Sequence, residues 1–309
     1  MKIFLTGASG FVGAAFAEAA HRRGHHVIGV IGRSAVAGPG LAQKIALDLT
    51  DPAALTSALF EHYPDAIVNC AAVAEPAQCD ADPARSEALN VALPTQLAQF
   101  ANHLSARFVH ISTEQVFDGT AAPYTTDSRP NPVNLYGRQK LLSERAVTAA
   151  ARAFAVTVRA PLLSGNSPSG RRSLHERLFA GWAAGKTPRV YSDEIRQPCT
   201  AGSLAEVLVE LCERQDLLGV FHWAGNEPLS RHELARRVRA HFKLSEKSAP
   251  LAAITRADTP DVSPTRPANL ALDLQPLAGI IKTQPESFEA QLDQFVVPPP
   301  FRDWYHAQK

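Results

Sequence analysis

The chain has 309 residues, 45% of them hydrophobic and 20% charged, with a formal net charge of +1. That is enough apolar sequence for one large globular domain, or a large one and a small one, and the charge gives no pull toward nucleic acid or an anionic membrane surface. No apolar run approaches the roughly 20 residues of a membrane span, the apolar start is too short for a signal peptide, and the four cysteines (Cys70, Cys79, Cys199, Cys212) fall into no CxxC or ligand spacing. Free thiols in a reducing, cytoplasmic setting are the expectation.

Short β-branched runs alternate with longer helical stretches over the first 160 residues. Strands are expected at residues 3–6, 27–31, 44–47, 66–69, 108–112 and 155–159. Helices are expected at 11–23 (stopped by Gly24), 51–62, 83–104 and 134–151. Strands that are apolar throughout and separated by helices imply a parallel sheet covered on both faces. Past Arg159 the pattern loosens. A loop at 164–172 precedes a helix at 174–184, a strand at 189–191, a helix at 205–214 and a returning strand at 219–223. Ser230 reads as N-cap of a helix at 231–242, with Glu233 placed for a capping box. The Pro-rich tail shows one more helix near 285–295. The fold expected is α/β, a Rossmann-type doubly wound parallel sheet with a smaller C-terminal substrate-binding domain. Residues 1–160 would form the dinucleotide-binding domain, and 161–309 mainly the substrate-binding region, with some later segments returning to the sheet.

The segment Thr6-Gly7-Ala8-Ser9-Gly10-Phe11-Val12-Gly13 sets three glycines between the first strand and the first helix. Gly7 permits the tight turn, Gly10 lets the backbone approach a pyrophosphate, and Gly13 lets helix and strand pack closely. Phosphates would sit at the positive helix N-terminus, lined by Ser9, Phe11 and Val12. After the second strand, an acidic residue would bond the ribose 2′-hydroxyl of NAD. Gly32-Arg33-Ser34 stands there instead. A guanidinium and a hydroxyl suit a 2′-phosphate, so NADP(H) is the expected cofactor, with NAD(H) second.

Tyr136 and Lys140 are four residues apart, on one face of the helix that begins near Asn134. A cation beside a tyrosine favours the phenolate and brings the group toward working pH. So tuned, it can exchange a proton with a carbonyl or alcohol oxygen while hydride passes to or from a nicotinamide. The segment His110-Ile111-Ser112-Thr113-Glu114, at the carboxyl end of the preceding strand, supplies a hydroxyl to orient that oxygen.

With TGASGFVG at 6–13, ISTEQVFDG at 111–119 and NLYGRQK at 134–140, the chain resembles the extended short-chain dehydrogenase/reductases, and within them the dTDP-4-dehydrorhamnose reductase branch. Further matches are VNCAA at 68–72, VRAP at 158–161, FHWAGNE at 221–227 and RPAN at 266–269. The stretch 219–244 is also similar to the regulatory β subunit of methionine adenosyltransferase, a member of that branch that serves as partner of another enzyme. The resemblance implies that Thr113, rather than Ser112, is the orienting hydroxyl, Tyr136 the acid/base, and Lys140 its activator and ribose ligand. It implies Asp48 and Leu49 beside the adenine, Ala71 and Ala72 lining the cofactor, and Pro161 and Leu162 close to the nicotinamide. The branch usually carries Asp-Tyr where this chain has Glu114-Gln115. That tyrosine lies on the substrate side, so the change at Gln115 bears on the substrate and not on the hydride chemistry. The usual Thr-Ser-Trp after the sixth strand is Ala160-Pro161-Leu162.

The function expected is NADPH-dependent reduction of a 4-keto nucleotide-sugar. The alternatives are an NADP-binding regulatory subunit without turnover and a sugar-nucleotide epimerase or dehydratase. Gln115 and Arg196 are candidate substrate residues, Arg196 through bidentate bonds to a diphosphate. His21, His25 and His26 have no metal-ligand spacing, and no metal is expected. The partner expected is a small molecule rather than nucleic acid or a membrane, and helices flanking the sheet could pair in a homodimer.

Overall fold

The computed structural model describes residues 1–32 and 38–309, with the backbone alone for Ser263. The first half runs β1 (Lys2–Thr6), α1 (Phe11–Arg22), β2 (His26–Ile31), β3 (Gln43–Ala46), α2 (Pro52–His62) and β4 (Ala66–Asn69). It continues through α3 (Pro76–Ala81), α4 (Pro83–Glu87), α5 (Leu93–Leu104), β5 (Arg107–Thr113), α6 (Leu135–Ala151) and β6 (Ala155–Ala160). The second half carries β7 (Leu163–Ser164), α7 (Leu174–Ala183), β8 (Arg189–Tyr191), β9 (Ile195–Arg196), β10 (Cys199–Thr200) and α8 (Ala201–Glu213). There follow β11 (Gly219–His222), β12 (Leu229–Ser230), α9 (Arg231–His241) and β13 (Ala252–Ile254).

Seven strands form one sheet in the order β11-β6-β5-β4-β1-β2-β3, and every neighbouring pair is parallel. The two-residue alternation of side chains divides them between two helical layers. Ile3 and Leu5 join Phe16, Ala20, Leu204 and Leu208 on the side of α1 and α8, whereas Phe4 joins Leu55, Leu59, Leu97 and Val147 on the side of α2, α5 and α6. Both faces are thereby dry, as the continuously apolar strands require. Chain order reverses at β1, between β2 and β4, and the carboxyl edge at that reversal is where ligands settle in such sheets. A third apolar cluster, with Phe179, Trp182, Leu234, Val238 and Phe288, belongs to the segments after β6.

Most elements form where the pattern places them, and four differ. The helix expected at 83–104 is interrupted by a wide π turn at Ala88–Ala92. Pro94 has no N–H to donate, and its ring crowds the carbonyl four residues back, so the helix widens to admit it. The first turn of α8 begins at Ala201, four residues early, because the Thr200 side chain accepts the Ser203 amide and caps the helix. The tail helix is only Phe288–Leu292, capped by Ser287. Ser230 does cap α9, but the Glu233 carboxylate pairs with Arg236 and Arg237 instead of closing a capping box. The Arg33-Ser34 pair lies outside the described residues.

Two buried histidines constrain the fold. His222 Nδ1 donates to the Asp273 carbonyl (3.1 Å) and its Nε2 faces Arg159 Nη1 (3.3 Å), which only the neutral ring can do. His175 lies flat against Phe295, ring centroids 4.4 Å apart. Burial holds both far below the usual value, at about 4. In the unfolded chain each takes a proton near pH 6.5, so their stabilisation is complete above that pH and is lost as pH falls toward 4. Denaturant titrations should show the fold losing about 2 kcal/mol per histidine between pH 8 and pH 5. His175→Phe should flatten part of that slope.

Candidate active site

The turn from β1 into α1 sits at the reversal of strand order. Gly7 has φ +67°, and a Cβ there would lie 2.7 Å from the Ala71 amide nitrogen. Only glycine satisfies both conditions, and the two loops diverge from this contact. Gly13 is equally confined, since a Cβ would come within 2.1 Å of the Gly7 carbonyl oxygen. Gly10 is the N-cap of α1, and no side chain caps that helix. An open helix N-terminus beside a glycine turn presents amide hydrogens and a positive dipole end, which suits a diphosphate. Ser9, Phe11 and Val12 stand half-buried around it, and a cleft of about 370 Å³ runs from Phe11 along α1 to Gly165 and Thr200. Ala71 and Ala72 follow β4, and Pro161 follows β6. Asp48, past β3, accepts from the Thr50 amide and hydroxyl, and Leu49 is half-buried against the α2 side of the sheet.

At the end of β5, Thr113 Oγ1 accepts the Gln115 amide (3.2 Å) and contacts the Tyr136 hydroxyl. The neighbouring hydroxyl is occupied differently: Ser112 Oγ donates to Glu144 Oε1 (2.5 Å). That carboxylate also takes a two-pronged bond from Arg159 (3.0 and 2.8 Å), so Ser112 serves a buried ion pair tying α6 to β6. Tyr136 approaches Thr113 because α6 starts against the turn after β5. Asn134 Oδ1 accepts the Gly137 amide (2.8 Å), and its Nδ2 donates to Gln115 Oε1 (3.0 Å) and the Thr265 carbonyl (3.2 Å). Gln115, a candidate for the substrate side, is therefore half-buried and already bonded at its side-chain oxygen.

Lys140 is buried, with Nζ 3.3 Å from His110 Nε2, and burial brings its pKa down to about 8. His110 continues into a buried chain. Its Nδ1 faces Asn69 Nδ2 (3.2 Å), whose Oδ1 accepts from Thr6 (2.6 Å), and its Nε2 faces Ser143 Oγ (3.0 Å). Burial and the Lys140 charge hold this ring neutral, well below the ordinary histidine range. Among the described residues no carboxylate lies within ion-pair distance of Lys140, so its charge is available to a ligand at the cleft. The expected effect of Lys140 on Tyr136 does not appear here. Burial pushes the tyrosine above its usual range, and the contact that lowers it comes from Thr113. The ammonium is drawn to His110, one turn away from the phenol.

Glu114 and Arg196 meet beneath this group, Oε1 to Nε at 3.5 Å. Glu114 is 2% exposed, and burial raises its carboxyl to about 7, against the pull of Arg196, Arg231 and the Leu162 amide. Arg196 is turned inward, donating to the carbonyls of Ile195 (2.7 Å), Ala268 (3.2 Å) and Pro267 (3.1 Å). A bidentate grip on a diphosphate would require breaking these bonds. Polar residues with no local sequence signature hold the site: Asn69, Ser143, and Asn90 in the π turn. Asn90 clamps the loop after β4 by accepting the Val73 amide (2.9 Å) and donating to the Val73 carbonyl (3.0 Å). Asn90 and Gln139, partners at 3.0 Å, are 49 residues apart, so no local pattern announces them.

The family model described as "RmlD substrate binding domain" matches residues 1–298. Methionine adenosyltransferase 2 subunit beta of Xenopus tropicalis is 33% identical over 284 residues, 90% of this chain and 82% of that protein. The dTDP-4-dehydrorhamnose reductase of Mycolicibacterium smegmatis is 31% identical over 237 residues, 76% of this chain and 67% of its own. A hypothetical dTDP-4-dehydrorhamnose reductase from Sulfolobus tokodaii has the same fold, with a TM-score of 0.80 at 27% identity, covering 96% of this chain and all of that one. A doubly wound sheet with a glycine turn at its reversal and a buried Thr-Tyr-Lys set at the end of β5 and on α6 thus comes with a family match over nearly its whole length: the chain belongs to the RmlD substrate-binding domain family.

Proposed function

We propose that the protein is an NADPH-dependent reductase of a 4-keto nucleotide-sugar, similar to dTDP-4-dehydrorhamnose reductases. The observation that carries this reading is the contact of the Tyr136 hydroxyl with Thr113, at the same carboxyl edge of the sheet from which β1 leads into an uncapped helix N-terminus. The cofactor would be held by the Gly7–Gly13 turn with Ser9, Phe11 and Val12, by Asp48 and Leu49 at the adenine, and by Ala71, Ala72, Pro161, Tyr136 and Lys140. Arg33 and Ser34 would take its 2′-phosphate; NAD(H) is the second choice. When bound, it supplies the hydride. Residues 161–309 would mainly bind the sugar nucleotide, with Gln115 and Arg196 on the substrate side.

In this reading, while its own oxygen keeps the Gln115 amide, the Thr113 hydroxyl turns its proton to the carbonyl oxygen. Tyr136 passes its proton to that oxygen. Burial favours the phenol, the form that reduction requires. Lys140, whose pKa burial brings down to about 8, holds the nicotinamide ribose, and the contact from Thr113 favours the phenolate left behind. An epimerase or dehydratase would use the same groups without net consumption of NADPH.

The similarity to methionine adenosyltransferase 2 subunit beta favours a second reading, a regulatory module that binds NADPH without turnover. NADPH oxidation with dTDP-4-dehydrorhamnose and related 4-keto sugar nucleotides separates the two. Turnover should appear in the wild type and fall at least 100-fold in Tyr136→Phe, with NADPH affinity unchanged within a few fold. Stoichiometric NADPH binding with no oxidation across the panel would leave the regulatory reading standing. Because Tyr136 remains a phenol well past neutrality, the reduction rate should show no loss to tyrosine ionisation up to pH 9, whereas the reverse oxidation should climb with pH. A reduction rate that falls away between pH 7 and pH 9 in step with Tyr136 ionisation would contradict this assignment.

A further inference from the structure

One carboxyl oxygen at the candidate site has no hydrogen-bond partner among the described residues. Glu114 is almost wholly buried, its Oε1 lies 3.5 Å from Arg196 Nε, and among the described residues nothing hydrogen-bonds its Oε2. Such an atom is expensive in a folded protein, and natural interiors carry few of them. The Arg196 guanidinium donates to three backbone carbonyls and lies 3.5 Å from Glu194 Oε2, a carboxylate it shares with Arg231 and Arg266. The charged and titratable groups around the carboxyl are Arg196 on β9, Arg231 on α9, Glu194, Tyr136 on α6 and Cys199 on β10. None of them bonds to Oε2. Glu114 also follows Thr113 directly, and its charge is felt at Tyr136, so the orphan atom lies next in the chain to the hydroxyl that meets the tyrosine.

Resting on the nucleotide-sugar reading above, we propose that Glu114 contacts the substrate and sets its specificity: Oε2 hydrogen-bonds a hydroxyl of the same sugar whose carbonyl Thr113 and Tyr136 hold. A carboxyl that titrates near neutrality can either donate to or accept from that hydroxyl. A site built to bond a hydroxyl discriminates against the analogue that lacks it, because its buried polar atom is then left unpaired.

Calorimetric binding of dTDP-glucose and its 2-, 3-, 4- and 6-deoxy counterparts to the NADPH-loaded protein tests this. One deoxy counterpart should bind the wild type at least about 10-fold more weakly than dTDP-glucose. The gap should close in Glu114→Leu and persist in part in Glu114→Gln, which keeps a donor and an acceptor. Thermal unfolding supplies a readout that does not depend on the ligand. In the wild type the folded carboxyl has its pKa raised from 4.5 to about 7, so it destabilises the fold increasingly as pH rises between those values. Glu114→Gln should therefore unfold no earlier than the wild type, with its advantage growing from pH 5 to pH 8. If Glu114→Leu keeps the full gap, or Glu114→Gln loses stability at every pH while binding is unchanged, the carboxylate is a structural partner of Arg196 and the proposal fails. Absence of binding by every sugar nucleotide would overturn the nucleotide-sugar reading and this assignment together, whereas binding with an unchanged gap overturns the assignment alone.

Discussion

The candidate site depends on one close approach, that of the first turn of α6 to the chain leaving β5. A Cβ on Gly137 would lie 2.2 Å from the Gln115 carbonyl oxygen, so no other residue allows the helix to seat there. Asn134 locks the contact from both sides, accepting the Gly137 amide and donating to Gln115 and to Thr265. The consequence is geometric. With the helix seated, Tyr136 comes to Thr113, and Lys140, one turn on, comes to His110 in the middle of β5. Moving the helix outward by the width of a methyl group would undo both contacts.

The same helix and strand carry an unusual load of buried ionisable groups, arranged as separate problems with separate solutions. Glu144 and Arg159 satisfy each other with two bonds, and Ser112 takes up part of the remaining acceptor capacity, which is what a buried pair needs in order not to be a liability. Lys140 has a neutral histidine as its hydrogen-bond partner, and burial lowers its pKa against the pull of Glu144. Glu114 is left with one oxygen unpaired. At the carboxyl edge of the sheet, then, Glu114 departs from full satisfaction while the Glu144–Arg159 pair, one residue back on β6, is closed. Stability is commonly conceded where a ligand is to complete the bonding.

The layered core was readable because its causes are local. Apolar runs bounded by glycine or proline, helices with caps at Asp51, Asn134 and Ser230, and the glycine turn at 7–13 each announce themselves within a dozen residues. The elements that were misjudged are those where a distant or single-residue effect wins. Pro94 opened the helix into a π turn at Ala88–Ala92, and that turn carries Asn90 to the loop after β4. Thr200 extended α8 by a turn. Arg196 reads as a free guanidinium in a loop and is instead tied to three carbonyls, two of them more than 70 residues away.

By itself the sequence determined the doubly wound sheet, the glycine turn at its reversal and the presence of Thr113, Tyr136 and Lys140 on one strand end and one helix face, because period, turn chemistry and helical spacing are properties of neighbouring residues. Only the tertiary structure decided what each of those groups faces. Lys140 looks to His110, Thr113 touches Tyr136 while Ser112 serves Glu144, and Glu114 keeps a bare oxygen. Burial and bonding partners come from segments far apart in the chain, and those set the charge of a side chain more than its type does.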